Sequence, residues 1–256
     1  MSSPRFFSPT SLSAGASVEL AASASRHAVR VLRLGVGDAV TLFDGLGGEY
    51  DCRIDSCGRS RDDQTVVNVL AWRDVERESP LELVLVQALQ AGEKMDLTVQ
   101  KAVELGATRI VPVMTRRSVV RLEGERAAKR VAHWRAVAAS ACEQCGRNRV
   151  PEIEALTDIG EWLGRPASGG ALRLMLDPVG AMGFDSLPRP ASGQGIDLLI
   201  GAEGGLSEDE RRCAVAAGFS AVRLGPRILR TETAGLATLA VIQCLWGDFR
   251  DTNRGA

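Results

Sequence analysis

Downstream of Pro80 the sequence alternates short apolar runs with longer runs of helical periodicity, and this alternation restricts the fold more than any other feature. Residues 81–86, 109–114, 172–176, 196–200 and 221–224 read as strands with little sign of a solvated face. Between them, residues 93–105 set Met95, Val99, Ala102 and Val103 on one helical face and stop at Gly106. Residues 125–145 form a long Ala-rich helix. Ser207-Glu-Asp-Glu is a capping box that opens a helix ending near Gly218. Residues 231–246 carry a stripe of Ala234, Ala237, Val241 and Cys244. Strands apolar on both faces and joined by helices predict a parallel sheet covered on both sides.

The preceding part of the chain has a different pattern. A short helix is expected over residues 26–34, then strands over 38–43, 49–56 and 65–72. Tyr50, Cys52 and Ile54 alternate on one face, and Asp44-Gly45 and Gly47-Gly48 mark turns. This predicts a small β-barrel module over residues 1–75, a charged linker over 74–80 and a second domain over 76–256. Residues 164–170 and 188–195, rich in Gly, Pro and Ser, read as loops.

Composition excludes several functions. A net charge of −1 over 256 residues rules out a globally basic nucleic-acid coat, although not a local basic face. Only 3 of the 31 basic residues are lysines, a bias that genomic base composition can produce unaided. Aromatics at 4% are too few for a broad single-strand stacking platform. No segment has the roughly 18 consecutive apolar residues of a membrane span, and no signal peptide is visible, so a cytoplasmic location without membrane partners is expected. Six scattered cysteines suit a reduced compartment. Cys142 and Cys145 form one CxxC with His133 alone nearby; a zinc site would want four ligands, so a structural role is expected and no metal. With two histidines, the chain is not built for histidine-based nucleophilic catalysis. Walker A, GxGxxG, HExxH and GxSxG patterns are absent.

Two strand ends carry the chemistry. In the first, the apolar run 196–200 leads into Gly201, Ala202, Glu203, Gly204 and Gly205 before the capped helix. Parallel sheets bind ligands beyond the carboxyl ends of their strands, and glycines there allow close backbone approach. Glu203 is placed to accept a hydrogen bond from a hydroxyl or amine. In the second, the strand ending at Leu224 turns at Gly225-Pro226, and Arg230-Thr-Glu-Thr opens a helix. A helix start offers free N–H groups that threonine can cap, and Arg230 is placed to hold an anion or a polar base edge. Alone, each also reads as an ordinary capped βα turn; the pair is far more specific.

With these motifs, IGAEGGLS followed by LGPRILRTETA, the chain resembles the ribosomal RNA small subunit methyltransferase E family of the SPOUT superfamily. The resemblance extends over nearly the whole chain: residues 26–50 resemble the family's PUA-like RNA-binding module, and residues 93–120 and 143–153 its central segments. Ala202 stands where the family usually has proline. The resemblance implies an α/β fold with a C-terminal trefoil knot, a homodimer, and S-adenosylmethionine-dependent methylation of N3 of one uridine in 16S ribosomal RNA, within the 30S subunit. It implies cofactor loops at Leu176, at Gly201, Glu203 and Gly204, and at Leu224, Gly225, Ile228, Leu229, Thr231, Thr233 and Ala234. Two alternatives stay open: another RNA target, either tRNA or a ribose 2′-hydroxyl, and an RNA-binding assembly factor without activity.

For that reaction the N3 proton must leave and the charge spread over N3, O2 and O4 must be stabilised. Arg230 is the candidate partner of the uracil anion. Glu232 is a candidate base or orienter of Arg230, with helix N-terminal electrostatics an equal alternative. For RNA contact, residues 116–149 carry nine basic and three acidic side chains, a local +6. Arg116, Arg117, Arg121 and Arg147 are its leading candidates; about half such arginines serve only a solvated face. Arg5, Arg30 and Arg33 are candidates in the first module by resemblance, whereas His27 reads as structural.

Overall fold

The computed structural model describes residues 3–58, 64–166, 170–180 and 182–249. Within the expected 164–170 loop, residues 167–169 lie outside the described set. The chain divides into two compact units, Met1–Glu78 with Ala139–Val150, and Ser79–Ala138 with Pro151–Ala256. The boundary of the first falls three residues beyond the expected 75, and its second segment was not foreseen.

The first unit holds β1 (Arg5–Phe7), β2 (Ser17–Glu19), β3 (Ala39–Phe43), β4 (Glu49–Ser56) and β5 (Val66–Arg73), in the sheet order β1-β3-β4-β5-β2. β1 runs parallel to β3 and the other pairs are antiparallel. Alternate residues Val40 and Leu42, Cys52 and Ile54, Val67 and Val69 pack with Phe6, Leu20 and Ala28, as two-residue periodicity requires. β1 and β2 carry only three residues each, too few for a periodicity signal. The expected 26–34 helix is displaced: α1 (Ala22–Arg26) widens into a π-turn over His27–Val31, where the Leu32 N–H reaches back five residues to the His27 carbonyl at 3.0 Å. Arg33 then reverses the chain at φ 58°, a left-handed conformation that is costly outside glycine.

The second unit is the predicted parallel sheet. Its strands are β6 (Leu83–Ala88), β7 (Arg109–Met114), β8 (Glu152–Ile153), β9 (Thr157–Asp158), β10 (Leu172–Leu176), β11 (Ile196–Ile200) and β12 (Ser220–Val222). Their order is β12-β10-β11-β6-β7-β8, with β9 also paired to β7, and every pair is parallel. β6 and β11 are buried along their whole length. Successive strand residues face opposite sides, so each face has its own cover. Val84, Val86 and Ala88 pack under α4 (Ile159–Leu163) and α5 (Glu208–Ala216). Leu85 and Gln87 lie under α6 (Thr231–Trp246), beside Gly235. α2 (Lys94–Glu104) packs against α6. The long helix α3 (Gly124–Cys145) ends in the first unit, to which residues from Ala139 onward belong. No described helix is long and apolar enough to cross a membrane.

Candidate active site

A cavity of about 610 Å³ lies at the carboxyl ends of β10 and β11 and the head of α6. It falls in the range of about 300–1,000 Å³ usual for small-molecule sites. The loop after β11 folds back on itself, with the Gly205 N–H donating to the Ala202 carbonyl at 2.8 Å. A Cβ on Gly201 would stand 3.0 Å from the Gly205 carbonyl carbon, so this approach requires glycine, and Gly205 takes φ 69°. Ser207 and Glu210 form the expected capping box and fix where the loop ends. From the other side, the Arg117 guanidinium donates to the Gly204 carbonyl at 2.8 Å.

The head of α6 is tied to this loop by a buried hydrogen-bond network. The Thr231 hydroxyl donates to the Gly201 carbonyl at 2.6 Å. Its oxygen accepts from Gln87 Nε2 at 3.1 Å and from Gln90 Nε2 at 3.5 Å. The Thr98 hydroxyl donates to Gln90 Oε1 at 2.9 Å. The segment after β12 at the sheet edge thus returns across the ends of β10 and β11, and Gln87 and Gln90 fix where it docks.

Glu232 follows Thr231. Lys94 Nζ lies 3.3 Å from its Oε1 and 3.9 Å from Oε1 of Glu203. Glu203 also accepts from the Ala91 N–H at 3.3 Å. The other Glu232 oxygen, Oε2, is shielded from solvent and takes no hydrogen bond from a described residue. Burial pushes this carboxyl up, but its own backbone N–H, Lys94 and Arg230 outweigh that and hold it below the usual carboxylate range. Arg230 is the N-cap residue of α6, with no side-chain capping bond, and lines the cavity.

Of the residues expected to hold a cofactor, Leu176, Gly201, Glu203, Gly204, Leu224, Ile228, Leu229, Thr231 and Ala234 line the cavity, together with Arg230 and Glu232. Gly225 and Thr233 do not. Gly225 is the φ 70° turn that aims the loop, and Thr233 is exposed on the helix. Sequence reasoning missed Lys94, Gln87, Gln90 and Asp177. Asp177 caps its own loop through the Val179 N–H at 3.0 Å and pairs with Arg211 at 3.2 Å. The available signal was polar residues directly after apolar strands: Gln87 and Gln90 after the 81–86 run, and Asp177 after Leu176.

The arginines expected to meet RNA divide sharply. Arg30, Arg33, Arg116 and Arg121 are exposed, although Arg121 donates to the Arg116 carbonyl at 3.1 Å and Arg116 pairs with Asp209 at 3.6 Å. Arg117 serves the cavity loop. Arg147 is a correction: its side chain is buried against Glu78, with Nε to Oε2 at 2.7 Å, and presents no charge to a ligand. Arg5 is a second correction. It pairs with Glu49 and donates to Asn148 Oδ1 at 2.6 Å, closing the fold of the first unit. Cys142 is buried, and burial pushes its thiol up to about 12; neither Cys142 nor Cys145 forms a disulfide. Among the described residues no His, Cys, Asp or Glu cluster is placed to hold a metal.

The chain is similar to known RNA methyltransferases. Residues 77–243 match an RNA methyltransferase domain, and residues 20–59 match an RNA methyltransferase PUA domain. The chain is 42% identical to the ribosomal RNA small subunit methyltransferase E of Neisseria gonorrhoeae, solved bound to S-adenosyl methionine; the match covers 97% of this chain and 100% of that one, with a TM-score of 0.90. A Legionella pneumophila chain solved with SAM is 35% identical, with coverage of 97% and 100% and a TM-score of 0.91. The Bacillus subtilis ribosomal RNA small subunit methyltransferase E is 31% identical over 224 residues, 84% of this chain and 85% of the relative. On the fold, the cavity and these matches, the chain belongs to the ribosomal RNA small subunit methyltransferase E family.

Proposed function

We propose that this enzyme uses S-adenosylmethionine to methylate N3 of a uridine in 16S ribosomal RNA. The observation that carries the reading is an ionised carboxylate, Glu232, with an oxygen that takes no hydrogen bond from another described residue, lining the cavity two residues after the N-cap Arg230, which lines it too. The cavity suits the methyl donor. Apolar Leu176, Leu224, Leu229 and Ala234 can flank a purine, and the close Gly201 turn leaves the loop backbone facing the ligand. When bound, S-adenosylmethionine supplies a methyl group activated on sulfur, so that the N–C bond forms as the C–S bond breaks and its electron pair stays on sulfur.

The protein's part is positioning and charge. Glu232 takes the N3 proton at Oε2, which makes the ring nitrogen nucleophilic. Arg230 faces the charge that develops on the uracil oxygens. Exposed Arg30 and Arg33 in the first unit, and Arg116 and Arg121 in the second, supply phosphate contacts. The knot and the homodimer belong to the same reading. The returning segment after β12 supports the first; Val179 and Ile228, 75% and 83% exposed at the cavity, support a second copy covering it.

The test is mass mapping of methylated nucleotides after incubation of 16S RNA, naked and in assembled 30S subunits, with the enzyme and S-adenosylmethionine. A single N3-methyluridine is expected. Methylation of a ribose hydroxyl, or only of tRNA, overturns the assignment. Arg230→Ala should abolish transfer while calorimetric affinity for S-adenosylmethionine holds; turnover near wild type removes Arg230 from the mechanism.

A further inference from the structure

We propose that Lys94 is a positioning residue for the reaction: it pins one oxygen of Glu232 so that the other, shielded from solvent and without a hydrogen bond from a described residue, is kept as the proton acceptor, and it ties this carboxylate to the Glu203 loop. The inference rests on the reading of Glu232 as the acceptor.

The geometry is specific. Lys94 opens α2 and is half-buried at the cavity wall. Its ammonium reaches carboxylates from two other elements, Glu232 at 3.3 Å and Glu203 at 3.9 Å. Both contacts use an Oε1, and the Glu203 oxygen is further held by the Ala91 N–H. Three segments distant in sequence therefore meet at one cation. A carboxylate with both oxygens bonded would be a poor base, and one with neither would swing freely. Lys94 at Oε1, with the backbone N–H of Glu232 itself, restrains the group, and Oε2 takes no hydrogen bond from another described residue. Such an orphan is rare in native proteins and calls for a donor that the protein does not supply. The uracil N3–H is a donor of that kind; its proton passes to Oε2 as the ring nitrogen takes the methyl group from S-adenosylmethionine.

The charges around Glu232 give the expected sign. Its own backbone N–H, Lys94 from α2 and Arg230 from its own helix favour the ionised form, and Glu203 from the loop after β11 is a like charge on the same ammonium. The remaining charged groups lining the cavity are Arg117, Asp177, Arg211, Arg223 and Arg227, and Asp177 is already paired with Arg211. Removing the ammonium leaves two carboxylates near each other with their shared cation gone. The Glu232 titration must then rise.

The experiment uses the full chain. The carboxyl carbon of Glu232 is followed by NMR across pH in the ligand-free wild type, Lys94→Met and Lys94→Arg. Single-turnover methyl transfer is measured over the same pH range, and S-adenosylmethionine affinity by calorimetry. The expected result is a raised Glu232 titration in Lys94→Met, restored in Lys94→Arg, with the acid limb of the rate profile moving by the same amount. The rate at neutral pH should fall about tenfold from lost orientation, with cofactor affinity little changed. An unmoved titration overturns the proposal. So does a loss of cofactor affinity with an unchanged pH profile, which would assign the two carboxylates to the cationic end of the methyl donor. Glu232→Gln separates the two levels of the argument. If that variant methylates at the wild-type rate, the acceptor reading itself fails; if it is inactive while Lys94→Met leaves the titration in place, only the role of Lys94 fails.

Discussion

The arginines show what a side chain's identity leaves open. Arg147 and Arg121 lie in the same basic stretch and carry the same charge, yet Arg147 is buried on Glu78 and Arg121 is exposed. Arg147→Ala leaves the Glu78 carboxylate without its charged partner, holding only the Arg149 N–H, so it should lower the free energy of unfolding by about 3 kcal/mol in urea denaturation. Arg121→Ala should leave the urea midpoint in place and reduce the slope of log affinity for RNA against log salt by about 0.7–0.9, the loss of one phosphate contact. If the two variants exchange these effects, the division drawn between them is wrong. Glu49 gives a pH-dependent counterpart. It is buried and meets Arg5, Arg73 at 2.6 Å and Arg77 at 3.3 Å. Burial raises its pKa, but the Arg5 hydrogen bond and the three guanidinium charges outweigh this and leave it below 4.5. A depressed folded value means that the stabilisation is fully present above the unfolded value and is lost as pH falls through the folded one. Wild-type stability should therefore drop below pH 4.5, whereas Glu49→Gln, already weaker at neutral pH, should show a shallower acid loss in the same urea titration. Neither pairing was legible in the sequence, because Glu49 lies 44 residues from Arg5 and 28 from Arg77, and charge alone does not choose among partners at such separations.

At the scale of elements, the sequence was most legible where periodicity and burial agree. β6, β7, β10 and β11 are mostly apolar because both faces of the sheet are covered, the buried charges Arg173 and Asp197 pairing across β10 and β11 at 3.2 Å, and the capping box at Ser207 sets the start of α5 where its residues predict. Legibility ends where an element depends on its docking. The strand expected over 81–86 runs on through Gln87 to Ala88, because the amide that should end an apolar strand finds a partner in Thr231. The same hydroxyl donates to the Gly201 carbonyl, which ties the head of α6, the helix carrying Glu232, to the Gly201 loop. Thr231→Val keeps the shape but removes the hydroxyl, leaving the Gly201 carbonyl and the Gln87 amide without their partner. The expected cost is about 1–3 kcal/mol of stability, together with weaker S-adenosylmethionine binding by calorimetry. Thr231→Ser should recover both. If valine is neutral for binding, the tie is structural and plays no part in shaping the cavity.

For the whole molecule, the charge balance and the domain boundary change meaning together. The local +6 over residues 116–149 suggested one basic face. In the folded chain, Lys129 pairs with Glu125, Arg130 with Asp96, Arg147 with Glu78 and Arg149 with Glu76, and Arg135 donates both Nε and Nη2 to the Ile153 carbonyl. Of the ion-paired residues only Arg147 is internal; Lys129 and Arg149 stay exposed and Arg130 partly so, but all three share their charge with carboxylates, so the net excess presented to RNA is smaller than the count suggests. Arg147 and Arg149 belong to Ala139–Val150, the segment that joins the first unit although the sequence pattern assigned it to the second. Local periodicity could not have shown this, since the helix runs through residue 139 without a break and what separates its two parts is their partners. Asn148 is fully buried, accepting from Arg5 at 2.6 Å and donating to the Val75 carbonyl at 2.5 Å, and Glu143 accepts from the Phe7 N–H at 2.9 Å. A fragment cut at the expected boundary, residues 76–256, keeps the cavity but loses each of these partners. Its parallel sheet should retain slow amide hydrogen exchange, while residues 139–150 exchange at rates near those of an unfolded chain. In the full-length protein that segment should be protected to the level of β3 and β4. Equal protection of 139–150 in fragment and full chain would show that the segment folds with the second unit after all, and would restore the boundary that the sequence pattern suggests.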